Sequence, residues 1–400
     1  MQDSPRQTPY GTAAEWTNSS HRNGVPASPS LERSSTWARS TAQSLRDLGM
    51  RAVHDDFYSR YGHPNARAVE AEVAAVEGGA GAVTFASGMS AIHAVFASFA
   101  GHGDRVAVAR QVYGGVTSLC RHELPRSGVE VDVFDVFEEA EWDRALEAKP
   151  RLCWVETPIN PTMRLVDLHR LSERCRAAGV PLACDATFAP APVQSALRSG
   201  ADLIVHSLTK YYGGHSDVLG GVVVSSHEHC RVIEGFRART GAILAPDSAW
   251  LVQRSLRTHR IRVEEQNRNA ARLARDLAET VSPDGVLTAV HHPSLPSHPD
   301  HELARAQMPG GFGAVLTLTL GGGYPAAVEA MERLQLVVRA PSLGGVESLV
   351  SIPVDSSHVG LDEEGLRLHG IDPGMLRVSV GLEPFESLRS DLFAALGLDA

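Results

Sequence analysis

Short apolar runs alternate with helical stretches through the middle of this 400-residue chain, and that alternation limits the available folds more than any single motif does. DRVAVA, VEVDVFD, RLCWVET, VPLACDATF, ADLIVHS and VLGGVVVSS each read as short buried strands. DLHRLSERCRAAG and PVQSALRSG read as helices between some of them. Strands linked through helices favour right-handed crossovers and a mostly parallel sheet. Glu156, Asp185 and Ser207 fall at predicted strand ends, where ligand groups gather in open α/β sheets.

The flanking regions extend this plan. Residues 1 to about 45 are rich in Ser, Thr, Pro and Asn without a sustained period, and predict an extended arm running to residue 56. ARAVEAEVAAVE and MSAIHAVFASFA predict helices around a turn–strand–turn, GGAGAVTFASG. A large cofactor-binding domain is expected over residues 57–247. A long helix beginning near Ser248 then leads into a smaller C-terminal α+β domain over 248–400, with strands at GAVLTLTL and LVVRA and a terminal helix at PFESLRSDLFAAL.

The formal charge is −10 and no basic cluster stands out, so neither nucleic acid nor an anionic membrane is an expected partner. No segment reaches the roughly 18 apolar residues of a membrane span, the N-terminus has no apolar leader-like run, and a soluble cytoplasmic protein is expected. The five cysteines are scattered as small buried hydrophobes would be. HEHC and HHPSLPSHPDH, read as polar loops, lack a familiar metal-ligand spacing, and no metal is expected.

Among 37 basic residues only Lys149 and Lys210 are lysines, so chemistry needing a side-chain amine has two candidates. Lys210 follows Ser207 and Thr209 and precedes Gly213 and Gly214. Hydroxyls and backbone amides there suit a phosphate while the amine suits an aldehyde; a surface lysine in a polar loop is the other reading. Asp185 ends an apolar strand, where a lone carboxylate is costly to bury. Pyridoxal phosphate supplies a partner for it, because an aspartate keeps the pyridine nitrogen protonated; a capping aspartate is the alternative. Ser87, Gly88 and Met89 mark a strand–turn–helix junction suited to an anion, and Tyr113 in QVYGG either stacks on a planar group or simply packs.

Taken together, YSRYGHPN, TFASGMSAI, GDRVAVARQVYGG, ETPINPT, CDATF, GADLIVHSLTKYYGGHSDVLGG, SLGGVESL and GIDPGMLRVSVGLE resemble the Cys/Met-metabolism (trans-sulfuration) family of pyridoxal-phosphate enzymes from about Phe57 onward. The resemblance implies an aspartate-aminotransferase-like, fold type I enzyme with a mostly parallel seven-stranded sheet. It implies that Lys210 carries pyridoxal 5'-phosphate as a Schiff base and shuttles protons, and that Asp185 pairs with the ring nitrogen. Ser87, Gly88, Met89, Ser207 and Thr209 would hold the phosphate, Tyr113 would stack on the ring and assist the leaving group, and Asn160 and Thr187 would adjoin the ring. Arg377 with Ser342 would clamp the substrate carboxylate, and Tyr58 and Arg60 would reach the neighbouring subunit's site, making a homo-oligomer with shared sites, a tetramer. Tyr58 would also adjoin the substrate.

The implied reaction is γ-elimination on an L-amino acid, with γ-replacement on an activated homoserine as the alternative. Pro341 stands where many cystathionine-handling members carry glutamate, and TGAILAPDSAW looks like the methionine γ-lyase pattern. Gly115, Val116 and the HPNA of His63 to Ala66 depart from that pattern. An aminotransferase, or a non-catalytic protein on a degenerate fold, are the other classes; the second would be expected to have lost Lys210, Asp185 or Arg377, and all three are present.

Overall fold

The computed structural model describes residues 27–50 and 56–399. Its larger sheet comprises β1 (Gly81–Phe85), β2 (Arg105–Ala109), β3 (Glu130–Phe134), β4 (Cys153–Glu156), β5 (Leu182–Asp185), β6 (Leu203–Ser207) and β7 (Gly221–Ser225). Their spatial order is β1-β7-β6-β5-β4-β2-β3. β7 is antiparallel to both neighbours, and every other pair is parallel, as the strand–helix alternation predicts. Helices cover this sheet, so its central strands carry apolar residues on both faces; Val222, Val223 and Val224 of β7 are all fully buried.

The smaller sheet, β8 (Leu287–His291), β9 (Val315–Leu320), β10 (Val338–Arg339), β11 (Leu349–Ser351) and β12 (Met375–Ser379), runs β10-β11-β12-β9-β8 and is antiparallel except between β10 and β11. The helix Pro246–Ala278 joins the two cores. Ala249, Val252 and Leu256 pack with the larger sheet, whereas Val263, Ala270, Leu273 and Leu277 pack with the smaller. One apolar stripe therefore fixes how the sheets sit against each other.

Local rules place the helix starts that matter for the site. Ser87 caps Gly88–Phe99 by accepting the Ser90 amide, and Gly78 and Gly241 end helices in the left-handed conformation. The HPNA departure also has a structural use. His63 caps Pro64–Glu77 and bonds the Leu244 carbonyl at 2.8 Å, while the Asn65 side chain holds the Glu32 amide at 2.9 Å and the Ser30 carbonyl at 2.7 Å.

Several local expectations are corrected. PVQSALRSG forms turns rather than a helix: Pro192 opens it two residues after Pro190, and the Ser199 amide to Ser195 carbonyl bond closes a single turn, too short to propagate. Within the described part of the arm, Ala42–Gly49 is helical and capped by Thr41, whose hydroxyl accepts the Ser44 amide. HEHC opens the helix His227–Thr240 instead of lying in a loop, because Ser226 caps it. Among the described residues, no group of three His, Cys, Asp or Glu side chains could hold a metal ion, and no helix is long and apolar enough to cross a membrane.

A buried ion pair secures the approach of β1 to the site. Arg237 donates to Glu70 Oε1 at 2.6 Å and to the Thr84 carbonyl at 2.9 Å, and the Thr84 amide donates to the same Glu70 oxygen at 2.9 Å. Burial alone would raise the Glu70 carboxyl, but Arg237 and then Arg67 outweigh it and hold it down at about 2. Replacing Arg237 by Met leaves that carboxylate buried and under-compensated, and should lower the unfolding free energy by about 3–5 kcal/mol in urea titrations at neutral pH. Because the folded value lies below the ordinary 4.5, the pair's contribution is present above that pH and is lost as pH falls toward 2. The gap between wild type and Arg237→Met should therefore narrow in acid.

Candidate active site

The carboxyl ends of the parallel strands converge on a cavity of about 330 Å³. β1 leads to Ser87, Gly88 and Met89; β2 to Tyr113; β4 to Glu156 and Asn160; β5 to Asp185 and Thr187; and β6 to Ser207, Thr209 and Lys210. The smaller sheet closes the other side with Pro341, Ser342 and, from β12, Arg377.

Lys210 Nζ donates to Ser342 Oγ at 2.6 Å across the seam between the sheets. Arg377, 5% exposed, donates from Nη1 to Asn160 Oδ1 at 3.0 Å and from Nη2 to the Ser342 carbonyl at 3.1 Å. Ser342 holds these contacts with φ +104°, a conformation costing about 1–3 kcal/mol for a residue with a Cβ. Burial, with the Arg377 charge second, pulls the Lys210 amine down to about 8. An amine so placed has a larger neutral, nucleophilic fraction at physiological pH than an exposed lysine.

Asp185 is buried on the opposite side. The Thr187 amide donates to its Oδ1 at 3.0 Å, and the Thr187 hydroxyl in turn accepts the Ser207 amide at 2.9 Å. Burial raises the Asp185 carboxyl, against the Thr187 hydroxyl and amide. A cationic ring nitrogen would meet the need this creates. The first amides of the helix Gly88–Phe99 lack intrahelical acceptors and lie beside the Ser207 and Thr209 hydroxyls. Glycine is required for that approach: a Cβ on Gly221 would come 2.2 Å from the Ser87 carbonyl oxygen, and one on Gly88 would come 3.1 Å from Ser207 Cβ. Half-buried amine, buried carboxylate and anion cradle together fit pyridoxal phosphate.

The cavity thus brings together Ser87, Gly88, Met89, Tyr113, Asn160, Asp185, Thr187, Ser207, Thr209, Lys210, Ser342 and Arg377. Tyr58 and Arg60 do not join it within this chain. Tyr58 is exposed and forms a bridge with Thr36, while Arg60 Nη1 donates to the Ala238 carbonyl and its guanidinium lies 4.5 Å from the Tyr61 ring centroid. Sequence reasoning noted Glu156 at a strand end but gave it no role, and it missed Phe188 and Leu219 on the cavity wall. The glutamate's position opposite Asp185 on the neighbouring strand was the signal that could have raised it. His215 is bonded to the Gly213 carbonyl at 2.9 Å and to Ser255 at 3.2 Å, a structural setting.

The profile of a family described as Cys/Met metabolism PLP-dependent enzymes matches residues 13–397. An O-succinylhomoserine sulfhydrylase of Pseudomonas aeruginosa is 38% identical over 344 residues, spanning 86% of this chain and 84% of that protein. An L-methionine gamma-lyase of Fusobacterium nucleatum subsp. polymorphum is 36% identical over 338 residues, 84% of each. The crystal structure of a cystathionine gamma synthase from Xanthomonas oryzae pv. oryzae in complex with cystathionine is similar at TM-score 0.88 and 32% identity, covering 98% of both chains.

The lowered amine gives a pH prediction for protein freed of cofactor. Only the neutral amine attacks an aldehyde, so uptake of pyridoxal phosphate should quicken about tenfold per unit below pH 8 and level off above it. Stopped-flow absorbance checks this; a rate still climbing at pH 10 would mean an amine with an ordinary lysine value.

Proposed function

The chain belongs to the Cys/Met metabolism PLP-dependent enzyme family, a family of lyases and transferases, and from that premise we propose that it catalyses γ-elimination on an L-amino acid with a leaving group on Cγ. With methionine, one water is consumed and methanethiol, 2-oxobutanoate and ammonium are released. The observation that carries this reading is a half-buried amine, Lys210, and a buried guanidinium, Arg377, lining one cavity together with the buried carboxyl of Asp185. When bound, pyridoxal phosphate supplies an amine-capturing aldehyde and an electron-accepting ring that acidify the substrate protons at Cα and Cβ.

The side chains divide the remaining work. Asp185 keeps the ring nitrogen protonated, and the Gly88 and Met89 amides with the Ser207 and Thr209 hydroxyls hold the phosphate, on a helix end that Ser87 caps. Tyr113 would stack on the ring face and donate a proton to the departing group, while Asn160 and Thr187 would flank the ring. Arg377 already has two of its donors fixed by Asn160 and Ser342, which orients the others for a carboxylate. Lys210 Nζ would hold the cofactor's aldehyde and, when free, stands ready to take the substrate's Cα proton.

Apolar groups favour a short, uncharged γ-substituent. Leu219 and Pro341 line the cavity, and its lining carboxyls, Glu156 and Asp185, both stand at the strand ends. A distal ammonium would meet Pro341 in place of the glutamate common in cystathionine-handling members. γ-Replacement on an activated homoserine is the second reading, favoured by the similarity to the sulfhydrylase and the synthase.

Tyr58 and Arg60 belong to the neighbouring subunit's site in this reading, which requires a dimer and extends to a tetramer. Exposed Leu31, Leu45, Met50 and Tyr58 near the arm support an interface there, as does the helix Ala42–Gly49, which buries no side chain. A cytoplasmic setting is part of the same reading, supported by five free, buried cysteines.

Purified protein loaded with pyridoxal phosphate should release 2-oxobutanoate and ammonium from methionine or homocysteine without added thiol. Lys210→Ala should cut that rate by about 10³-fold or more. Product that forms only when activated homoserine and a thiol are both supplied would select the replacement reading. Shared sites make a separate prediction. Lys210→Ala and Arg60→Ala, each deficient alone, should recover roughly a quarter of wild-type activity in mixed oligomers, since half the dimers then carry one intact site. Recovery no better than the sum of the two variants would contradict the sharing.

A further inference from the structure

Two carboxyl groups end adjacent strands at the floor of the cavity: Glu156 on β4 and Asp185 on β5 are direct partners in parallel register. One of them, Asp185, would pair with the ring nitrogen, which leaves the other without an assigned task. Glu156 is 3% exposed, and burying a second carboxyl beside the first is costly unless its hydrogen bonds are specific. They are specific. Its Oε2 accepts the Tyr113 amide at 2.6 Å and its Oε1 accepts the Asn160 amide at 3.2 Å.

These two amides belong to different walls. Tyr113 precedes the helix Gly114–Arg126 and carries the aromatic wall; its ring is held closely enough that a Cβ on Gly115 would come 2.5 Å from Tyr113 Cε1. Asn160 follows β4, and its side chain receives Arg377 at 3.0 Å. From Arg377 the connections continue to the Ser342 carbonyl at 3.1 Å, and the Ser342 hydroxyl receives Lys210 at 2.6 Å. A continuous hydrogen-bonded series therefore runs from the aromatic wall to the amine, and Glu156 joins its two halves with one oxygen each.

We infer that Glu156 is a positioning residue that sets the Tyr113 ring and the Asn160–Arg377 carboxylate clamp at a fixed separation, so that ring stacking and substrate capture are satisfied together. The inference rests on the pyridoxal-phosphate reading of the cavity. A carboxyl is suited to the task because both oxygens accept. Glutamine has the same shape, but it must turn an NH₂ group toward one of the two amide donors and so loses one tie. Burial, then the Asp185 charge, pushes the Glu156 carboxyl up to about 8, while the Asn160 and Tyr113 amides and Arg377 pull the other way.

The test uses full-length protein loaded with pyridoxal phosphate and readouts that need no turnover. Bound cofactor is counted by absorbance, its asymmetry is read by visible circular dichroism, and capture of L-alanine, which has no γ leaving group, is read by spectral titration. Glu156→Gln is expected to keep one cofactor per chain, to change the dichroic band, and to weaken L-alanine binding about tenfold, the size expected for losing one buried hydrogen bond. Glu156→Asp keeps both acceptor oxygens but withdraws them by one methylene, so it cannot span both amides and is expected to change the band and weaken L-alanine binding in the same direction. Wild-type dichroism and L-alanine affinity in Glu156→Gln would overturn the role. Should Glu156→Gln fail to fold, Glu156→Asp decides: a wild-type band with wild-type L-alanine affinity would overturn the role as well. Wild-type protein that takes up no cofactor would instead sink the reading on which the inference rests.

Discussion

The contact between Lys210 and Ser342 is the constraint around which the rest is arranged. One partner follows β6 of the larger sheet and the other precedes β11 of the smaller, so an amine at the end of one core is held by a hydroxyl from the other. An amine largely withdrawn from water is unfavourable by itself. It is retained here in a seam closed by further polar ties, Arg377 to Asn160 and the Thr317 hydroxyl to the Pro161 carbonyl at 2.6 Å. The helix Pro246–Ala278, apolar toward both cores, makes this seam a fixed feature. A small shift between the sheets would separate the amine from the guanidinium that is to orient its substrate.

The site's electrostatics follow from that enclosure. Two carboxyls stand on the strand ends and two cations, Lys210 and Arg377, on the seam, all within one buried space. Burial lowers the amine to about 8 and the guanidinium to about 10, and it raises both carboxyls. Enclosure thus weakens every charge singly while strengthening each charge's hold on a partner that enters. A ligand bringing a cationic nitrogen toward Asp185 and an anionic phosphate toward the helix start at Gly88 complements the arrangement at both ends.

Much of this was legible in the sequence because it lies along single strands and their ends. The strand–helix alternation specified the parallel sheet, and the ends of β5 and β6 carried Asp185, Ser207 and Lys210 into view. Arg377 and Ser342 were legible only through resemblance, since nothing local to MLRVSVG or PSLGG shows that the smaller sheet folds back onto the larger. Glu156 was visible as a strand-end carboxylate, yet its work depends on amides 43 and 4 residues away, which no periodicity discloses. PVQSALRSG misled because a helical composition cannot extend a segment that opens on Pro192, two residues after Pro190, and closes only one turn. Tyr58 and Arg60 lie outside their own chain's cavity, so their proposed use depends on a second copy.

The most direct test of the central claim exploits the scarcity of lysine. The protein is incubated with pyridoxal phosphate, reduced with borohydride to fix any carbon–nitrogen double bond as a stable amine, digested and mapped by mass spectrometry. The account predicts one pyridoxyl group per chain, on Lys210 rather than Lys149, the other lysine in the sequence. Labelling of Lys149 in preference, or no stable label on Lys210, would contradict it.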